Sequence, residues 1–379
     1  MSTFIAIGVG QGDAFFLEKG DKTLLVDGGK SVSSFPGRFL KAAGRNHLDI
    51  LVCTHNDSDH ANGVLGFLRQ KRFTADEVWL PASWMDNLQD LMINPEKFLK
   101  ELIADIQRLD DHLARDLEAV GEMFTMIQTQ KEGLIVEETA ENLRRLVEQA
   151  SEIYHLDLGK QFRTLYNLKL RNPKHRLTKE ALVASNLIRE IALSAFRSGS
   201  LVRWFDYIGD NGFTKASGGM TDLLVPINAV EVARIKRPKK SALEYISLTR
   251  VNQQSLVFAS PNNEFSPFVL FTADSDLSFR QPIPWQDQMI ITAPHHGSNS
   301  NNRAYWRFVH ETPNKMDVVW VRSDKKSNAR PSIAYIVVNG RKYCTLCRRS
   351  KLLKQDVLLT SSRFKNAWQP VHTQGCCCI

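Results

Sequence analysis

The stretch Thr54-His55-Asn56-Asp57-Ser58-Asp59-His60 places two imidazoles and two carboxylates on one short turn. It follows the run 49–53, which predicts a buried strand, and precedes 61–68, which predicts the start of a helix. Open α/β sheets bind ligands at such strand ends. Crowded carboxylates repel one another without a cation, and His with Asp is a common ligand set for zinc or manganese. We therefore predict a divalent-metal site; the alternative is a polar loop in which Asp59 caps the helix.

Two later apolar runs also end in side chains that bind metals. Residues 268–273 lead into Asp274, and residues 289–294 lead into His295 and His296. Both runs predict buried strands, so their acidic and imidazole side chains leave the sheet at strand ends, as the 54–60 stretch does. We expect these residues, distant along the chain, to meet around one cation site.

The order of these motifs resembles that of the metallo-β-lactamase fold. The H-x-D-x-D-H pattern of residues 55–60 is similar to its metal-binding signature. It is closer still to the branch found in the DNA-uptake channel protein of naturally competent bacteria, whose second ligand is Asp rather than His. Further motifs of the fold or of this branch are matched by residues 8–14, 25–29 and 295–298. The resemblance covers roughly residues 3–80 and 220–355.

The resemblance implies an α/β protein with two sheets between layers of helices. Residues from about 86 to 198 interrupt it, because apolar side chains there recur at helical spacing and strand signals are nearly absent. We predict a metallo-β-lactamase αββα sandwich with a large all-helical insertion, in which one helix runs from Pro95 to about Lys131. The predicted units are a hydrolase domain at 1–81 and 200–365, the insertion at 82–199 and a C-terminal tail at 366–379.

The resemblance also implies a ligand set. The metal ligands taken from the matched motifs are His55, Asp57, Asp59, His60, Asp274 and His295. In this scheme His55 and Asp57 bind a first ion, residues 59, 60 and 295 bind a second, and Asp274 bridges both. His296 orients the substrate or serves as general acid. The residues assigned to catalysis are Asp59, Asp274 and His296, acting on a water molecule that the metal activates.

The chain departs from the usual pattern of the fold at one metal position. Asn252 and Ser255 lie where most members have a further metal-binding His, and residues 176–294 contain no His. A site richer in oxygen ligands favours manganese over zinc. The departure leaves one ion or two as open alternatives.

Other residues are expected to support the ligands or to contact the substrate. Asp27 matches a family acid that hydrogen-bonds to the metal loop, although a turn residue is the alternative. Arg330 replaces a usual His, and its guanidinium either binds a phosphate or is a plain surface group. The full predicted set in this class is Asp27, Asn252, Ser255, Ser298 and Arg330.

The net charge and the targeting signals bear on the expected partners and on the expected location in the cell. The 379-residue chain has a net charge of +8, which favours acidic partners such as nucleic acid. Basic clusters within 160–179 and 234–240 offer phosphate contacts, with a solvated face as the alternative for each. No stretch approaches about 18 uncharged apolar residues and no secretory signal is apparent, so we expect a cytoplasmic protein without a membrane span.

Three functions fit these features. We favour a metal-dependent hydrolase that is a phosphodiesterase or nuclease using a metal-activated water. The second is a hydrolase of small esters, lactones or amides. The third is a catalytically weak metal-binding effector or scaffold subunit, whose helical insertion docks a protein partner. A fold alone does not decide among them.

Overall fold

The computed structural model of the protein describes residues 1–111, 113–126, 134–149, 173–209, 214–264, 266–312, 316–323, 330–346, 355–361, 366–373 and 375–376. The strands are β1 (Ser2–Ala6), β2 (Phe15–Lys19), β3 (Lys22–Val26), β4 (His47–Val52), β5 (Thr74–Pro81), β6 (Ile135–Thr139), β7 (Leu201–Tyr207), β8 (Val225–Pro226), β9 (Ala229–Val232), β10 (Arg234–Pro238), β11 (Phe258–Ser260), β12 (Val269–Phe271), β13 (Ile290–Thr292), β14 (Val319–Arg322), β15 (Arg341–Cys344), β16 (Val357–Ser361) and β17 (Gln369–Pro370). The helices are α1 (Phe35–Ala43), α2 (Ser58–Leu68), α3 (Met85–Ile93), α4 (Pro95–Arg108), α5 (Leu117–Met126), α6 (Ala140–Gln149), α7 (Pro173–Arg197), α8 (Ala242–Leu248), α9 (Asn302–Glu311) and α10 (Ile333–Val337). Within these ranges no helix has both the length and the apolar composition needed to cross a membrane.

Two β-sheets lie at the centre of the described residues. The first has the strand order β17-β16-β1-β2-β3-β4-β5-β7-β9, and the second has the order β15-β14-β13-β12-β11-β8. Apolar side chains of both sheets, such as Phe4 and Phe258, pack into one buried core between them. The outer face of the first sheet packs on α1 and α2, and that of the second on α9 and α10. These four layers are an αββα sandwich, which confirms the predicted fold class.

The strands that precede the predicted site residues run parallel within each sheet. β3, β4 and β5 pair in parallel in the first sheet, as do β12, β13 and β14 in the second. Their carboxyl ends therefore lie along one edge of each sheet. Asp27 follows β3 and the 54–60 stretch follows β4, while Asp274 and His295 follow β12 and β13. The site loops of the two sheets meet because the sandwich brings these edges together.

The segment 82–200 leaves the first sheet after β5 and returns at β7, which pairs with β5 in parallel. Its described residues are helical apart from one strand and the connections between elements. The prediction of an all-helical insertion is wrong at that strand, β6, which pairs antiparallel with β10. Ile135, Val136 and Thr139 are β-branched and favour extended backbone, a local signal that the helical spacing around them obscured.

The helix predicted from Pro95 to about Lys131 is instead two helices. α4 ends where Leu109 turns to extended backbone, and α5 begins at Leu117. Asp116 Oδ1 accepts a hydrogen bond from the Ala119 N–H at 2.7 Å, which caps the new helix. Apolar residues keep their spacing of three and four on both sides of the break, so periodicity alone does not detect it. Residues 127–131 lie outside the described residues.

The insertion packs directly on the sandwich. A Cβ atom on Gly121 of α5 would lie 2.6 Å from the carbonyl oxygen of Ser247 in α8, so this close approach requires glycine. Leu65 of α2 and Ile188 of α7 belong to one continuous buried core. The insertion therefore shares its core with the sandwich and positions α5 and α8 beside the 54–60 stretch.

Part of the predicted tail is an integral part of the sandwich. Trp368 is fully buried in the core between the sheets, and β17 pairs antiparallel with β16 at the end of the first sheet. The tail prediction is wrong for these residues. The residues around Trp368 do not alternate between apolar and polar, so the local sequence does not predict a strand here. The burial of Trp368 depends on how the two sheets pack.

Candidate metal centre

The backbone is strained at three of the loops that form the centre. Asp27, Ala273, His295 and His296 have φ values of 60°, 47°, 45° and 55°, in the left-handed region that L-residues seldom adopt. Such conformations cost on the order of 1–3 kcal/mol each and cluster at functional sites, where the surrounding structure enforces them. Each of these residues lies just beyond the carboxyl end of a parallel strand.

Asp274 is the central carboxylate of the site. On its Oδ1 side, the Nε2 atoms of His60 and His296 lie at 3.0 and 3.7 Å. On its Oδ2 side, the Nε2 atoms of His295 and His55 lie at 3.5 and 3.8 Å. We call these the Oδ1 side and the Oδ2 side of the centre. Four imidazoles therefore direct the same ring atom towards one buried carboxylate.

Two carboxylates orient the imidazoles of the Oδ1 side. His60 Nδ1–H donates to Asp27 Oδ2 at 2.8 Å, and His296 Nδ1–H donates to Asp13 Oδ1 at 2.9 Å. A carboxylate that accepts from Nδ1 leaves Nε2 as the ring atom for a metal and makes the imidazole a better ligand. Asp59 Oδ2 lies 3.7 Å from His296 Nε2 and so completes this side.

Neutral groups orient the imidazoles of the Oδ2 side. Thr54 Oγ1–H donates to Asp27 at 2.7 Å, so the same oxygen accepts from His55 Nδ1–H at 2.9 Å. Asn301 Nδ2 donates to the carbonyl of Asp274 at 2.7 Å, which turns its Oδ1 towards His295 Nδ1, 2.9 Å away. On this side too, the Nε2 atoms face Asp274.

The close approach of the first loop to the metal loop depends on Gly12. A Cβ atom there would lie 1.6 Å from the carbonyl oxygen of Asp59, and the residue has φ 92°. The approach brings Asp13 under His296, where Asp13 also accepts a hydrogen bond from the Ser323 hydroxyl. Gly12 therefore allows a residue of the first loop to support a ligand of the second sheet.

The side chains fit a divalent cation. His55 Nε2 and His296 Nε2 are buried and have no hydrogen-bond partner among the described residues, while the buried His60 Nε2 and Asp274 Oδ1 have only each other, at 3.0 Å. Two groups of side chains each have ligand atoms within 4.8 Å of one another: Asp13, His60, Asp274 and His296 form one, and His55, Asp57 and Asp274 form the other. Unpaired buried imidazole and carboxylate atoms are costly unless a cation binds them. Imidazole nitrogen with carboxylate oxygen suits zinc or manganese.

The pKa shifts at the centre also fit a bound cation. Burial would raise the pKa of Asp274, but the surrounding imidazoles hold it well below its usual range. Burial would lower the pKa of His296, but Asp13 and Asp274 raise it to about 9. Burial also lowers the pKa of His60, but Asp274 and Asp27 raise it by more, so this pKa lies well above its usual value. The carboxylates thus favour positive charge at the Nε2 positions, whether from protons or from a metal.

Asp57 has a partner that the sequence analysis did not predict. Its Oδ1 accepts a hydrogen bond from Arg250 Nε at 2.6 Å, so the two form an ion pair. Asp57 is the N-cap residue of α2, yet its side chain makes no capping hydrogen bond. Burial, together with Asp57 and other acids, raises the pKa of Glu118 in α5 to about 7. The insertion therefore adds an acidic group near the Oδ2 side.

The structure brings all the predicted ligands together and distributes the supporting residues around them. Asn252 and Ser255 are buried next to the metal loop, where the Leu256 N–H donates to Thr54 O at 3.2 Å. Ser298 Oγ accepts from the Ser300 N–H and shapes the turn after His296. Arg330 is half-buried and precedes Ser332, whose N–H donates to Gly297 O.

Sequence reasoning missed four residues that act on the centre: Asp13, Thr54, Arg250 and Asn301. Asp13 lies in the matched 8–14 motif, but its contact with His296 spans 283 positions. Thr54 and Asn301 adjoin predicted ligand motifs, which is the one local signal available for them. Arg250 has no such signal, because its role depends on where α8 packs.

The basic clusters behave differently from the expectation. Arg234, Arg237 and Lys240 are on or beside β10 and are paired with acids, such as Glu137 and Asp86. The cations of this cluster thus have acidic partners within the protein, while the prediction that the cluster contacts phosphates stays a prediction. In the other cluster, residues 160–171 lie outside the described residues, and Arg176 pairs with Glu180 at 2.9 Å.

A different positive surface flanks the centre. A groove is lined by the loop after Asp274 and by α9, which begins directly after Asn301. Arg280 and Arg303 are exposed there and form no ion pair with any described residue. The Trp306 side chain is 60% exposed beside them. The groove thus combines cationic and aromatic groups with one acid, Glu311, and its helix α9 follows Asn301, which contacts His295.

Comparison with known proteins supports this interpretation of fold and site. Residues 7–128 match the family model described as the metallo-beta-lactamase superfamily. The matched segment includes the first loop, Asp27 and the whole 54–60 stretch. No curated protein matches the chain. The αββα sandwich and this match show the metallo-β-lactamase fold, and the His/Asp cluster could hold the divalent metal of a metal-dependent hydrolase.

Proposed function

We propose that this protein is a metal-dependent phosphodiesterase that cleaves nucleic acid. The observation that carries the proposal is the convergence of four imidazole Nε2 atoms on Asp274, at 3.0 to 3.8 Å. Nothing in this site requires a Ser or Cys nucleophile. The residues instead form a buried cation site beside a basic, aromatic groove.

The Oδ1 side is the better ion site. His60, His296 and Asp274 would hold the cation there, with Asp59 at its edge. Carboxylates support both imidazoles, which increases their strength as ligands. Bound by these residues, a divalent cation would supply an acidified water molecule and positive charge for a developing phosphoryl oxyanion.

His295 is better placed than His296 to contact the substrate, which reverses the preference from sequence. The side chain of His295 is 16% exposed, whereas that of His296 is fully buried. A group that donates a proton to a leaving oxygen must reach the substrate. We therefore assign His296 to metal binding, and His295 to hydrogen bonding or proton transfer at the leaving oxygen.

The flanking groove supports a polynucleotide over a small ester. Phosphates bind to the guanidinium groups of Arg280 and Arg303, which have no acidic partner among the described residues. Bases stack on exposed aromatic rings, and Trp306 offers such a surface. An ester or lactone would gain nothing from these groups.

The test is hydrolysis by purified protein supplied with Mn²⁺ or Zn²⁺, on single-stranded DNA, on RNA and on a p-nitrophenyl ester. We expect metal-dependent cleavage of a nucleic acid that Asp274→Asn abolishes. Asp276→Asn is the matched control, because Asp276 accepts a hydrogen bond from the Ser278 N–H and has no contact with the four imidazoles. Turnover of the ester alone, or tight metal binding without turnover of any substrate, would contradict the proposal.

A further inference from the structure

The ion pair between Asp57 and Arg250 engages a carboxylate that was predicted to bind a first metal ion. Asp57 has a ligand atom within 4.8 Å of those of His55 and Asp274, and His295 Nε2 lies on the same side, 3.5 Å from Asp274 Oδ2. The Arg250 Nε–H donates to Asp57 Oδ1 at 2.6 Å. One oxygen of the carboxylate is therefore already bound to a permanent cation.

Packing holds Arg250 in this position. Arg250 follows α8, which is fixed against α5 by the close approach of Gly121 to Ser247. Thr249, the residue before it, accepts a hydrogen bond from Asn56 Nδ2 at 3.1 Å, which ties the end of α8 to the metal loop. The Arg250 side chain is 25% exposed, so most of it is packed against protein. The guanidinium is thus a fixed part of the centre.

The charges around Arg250 suit one positive group and disfavour a second. Its guanidinium interacts with Asp57 and, at longer range, with Glu118 and Glu180. A divalent ion between His55, Asp57 and Asp274 would compete with the guanidinium for the same carboxylate and repel it. The sequence also provides Asn252 where a further imidazole would strengthen that position.

We propose that the centre binds a single divalent ion, on the Oδ1 side, and that Arg250 supplies the fixed positive charge of the Oδ2 side. This inference rests on the proposed function only in requiring a metal centre. It decides between the one-ion and two-ion alternatives left open by the sequence. In this proposal, α8 and the insertion that packs against it hold the positive charge of Arg250 at the site.

The experiment is Mn²⁺ titration of metal-free full-length protein, with stoichiometry from calorimetry and the environment of the ion from electron paramagnetic resonance. We expect one Mn²⁺ per chain and the resolved hyperfine spectrum of an isolated ion. Arg250→Ala should bind a second Mn²⁺ and show the broadened spectrum of a coupled pair, because the Asp57 carboxylate becomes free to bind an ion together with His55 and Asp274. Arg250→Lys is the matched control and should still bind one, since it keeps the positive charge.

The outcomes separate this inference from the proposed function. Two ions in the natural protein, or a single ion retained in Arg250→Ala, would overturn the inference and leave the hydrolase proposal standing. No bound Mn²⁺ in the natural protein would overturn both. If Arg250→Ala fails to fold, Asp57→Asn replaces it: we expect unchanged stoichiometry and affinity, and loss of the ion would show that Asp57 binds metal.

Discussion

The two sides of Asp274 have similar ligands but different support. On the Oδ1 side, His60 and His296 are fully buried and each donates to a carboxylate, Asp27 or Asp13. On the Oδ2 side, His55 and His295 donate to neutral oxygens of Thr54 and Asn301. A carboxylate partner increases the electron density of an imidazole, so it favours metal binding more than a hydroxyl or an amide does.

This difference in hydrogen-bond partners suggests that the two sides have different roles. The enclosed, carboxylate-supported side is suited to hold an ion tightly. The other side has Arg250 and the partly exposed His295, which suit a negatively charged substrate better than a second metal ion. Asp274, the carboxylate that both sides share, can therefore link a cation site to a substrate site.

The largest expected effect comes from removing the residue that the two sides share. Asp274→Asn should lower kcat/KM on a nucleic acid by about 10³-fold or more and greatly reduce Mn²⁺ content, because both sides lose their common carboxylate. Steady-state kinetics and elemental analysis of the folded variant would measure this. Retained metal with retained activity would show that Asp274 is not central.

A smaller effect should distinguish the two sides. Asp13→Asn should weaken Mn²⁺ binding by about 10- to 100-fold, because His296 loses its charged partner. Thr54→Val, which removes the partner of His55, should change the affinity far less if the ion lies on the Oδ1 side. Calorimetric titration of both variants tests the comparison, and equal losses would contradict it. Circular dichroism would check that each variant is folded, because Thr54 also bonds to Asp27.

The residues that sequence predicted and those that it missed differ in a physical way. Asp27, the 54–60 stretch, Asp274 and His295 each follow a predicted strand directly, so local patterns place them at the sheet edge. Asp13 and Arg250 act across the packed sandwich, and their partners are 283 and 193 positions away. The periodicity of apolar residues along the sequence does not reveal such pairings, because they depend on how the two sheets and the insertion pack.

The same limit applies to charge and to helix ends. The cations on and beside β10 can be counted in the sequence, but the acids that neutralise them, such as Asp86 and Glu137, come from the insertion. Apolar spacing predicted helix on both sides of the break between α4 and α5, yet the backbone becomes extended at Leu109 and the next helix begins only at Leu117. Periodicity identifies a buried face and does not show where the axis of a helix changes.

Proton competition should make metal binding depend on pH. Because the pKa values of His60 and His296 are raised, with that of His296 at about 9, both imidazoles carry protons near neutral pH. Mn²⁺ must displace these protons, so its affinity should rise by about tenfold per pH unit for each proton released, up to about pH 9. Titrations in buffers of different ionisation enthalpy would count the protons. Affinity that does not change with pH would contradict this assignment of the Oδ1 side.

The smallest expected effect concerns the groove beyond His295, and it tests whether the Oδ2 side faces a nucleic acid. Arg303→Ala should weaken binding of single-stranded DNA a few-fold and reduce the slope of log K against log salt by about one, because one phosphate contact is lost. Hydrolysis of bis(p-nitrophenyl) phosphate should not change, since this small diester does not reach α9. Arg234→Ala is the matched control: its guanidinium is exposed but already paired with Glu137 at 3.0 Å, so the salt slope should stay the same. If both variants alter the slope equally, general charge accounts for binding, and the groove has no special role in placing a polynucleotide beside the metal.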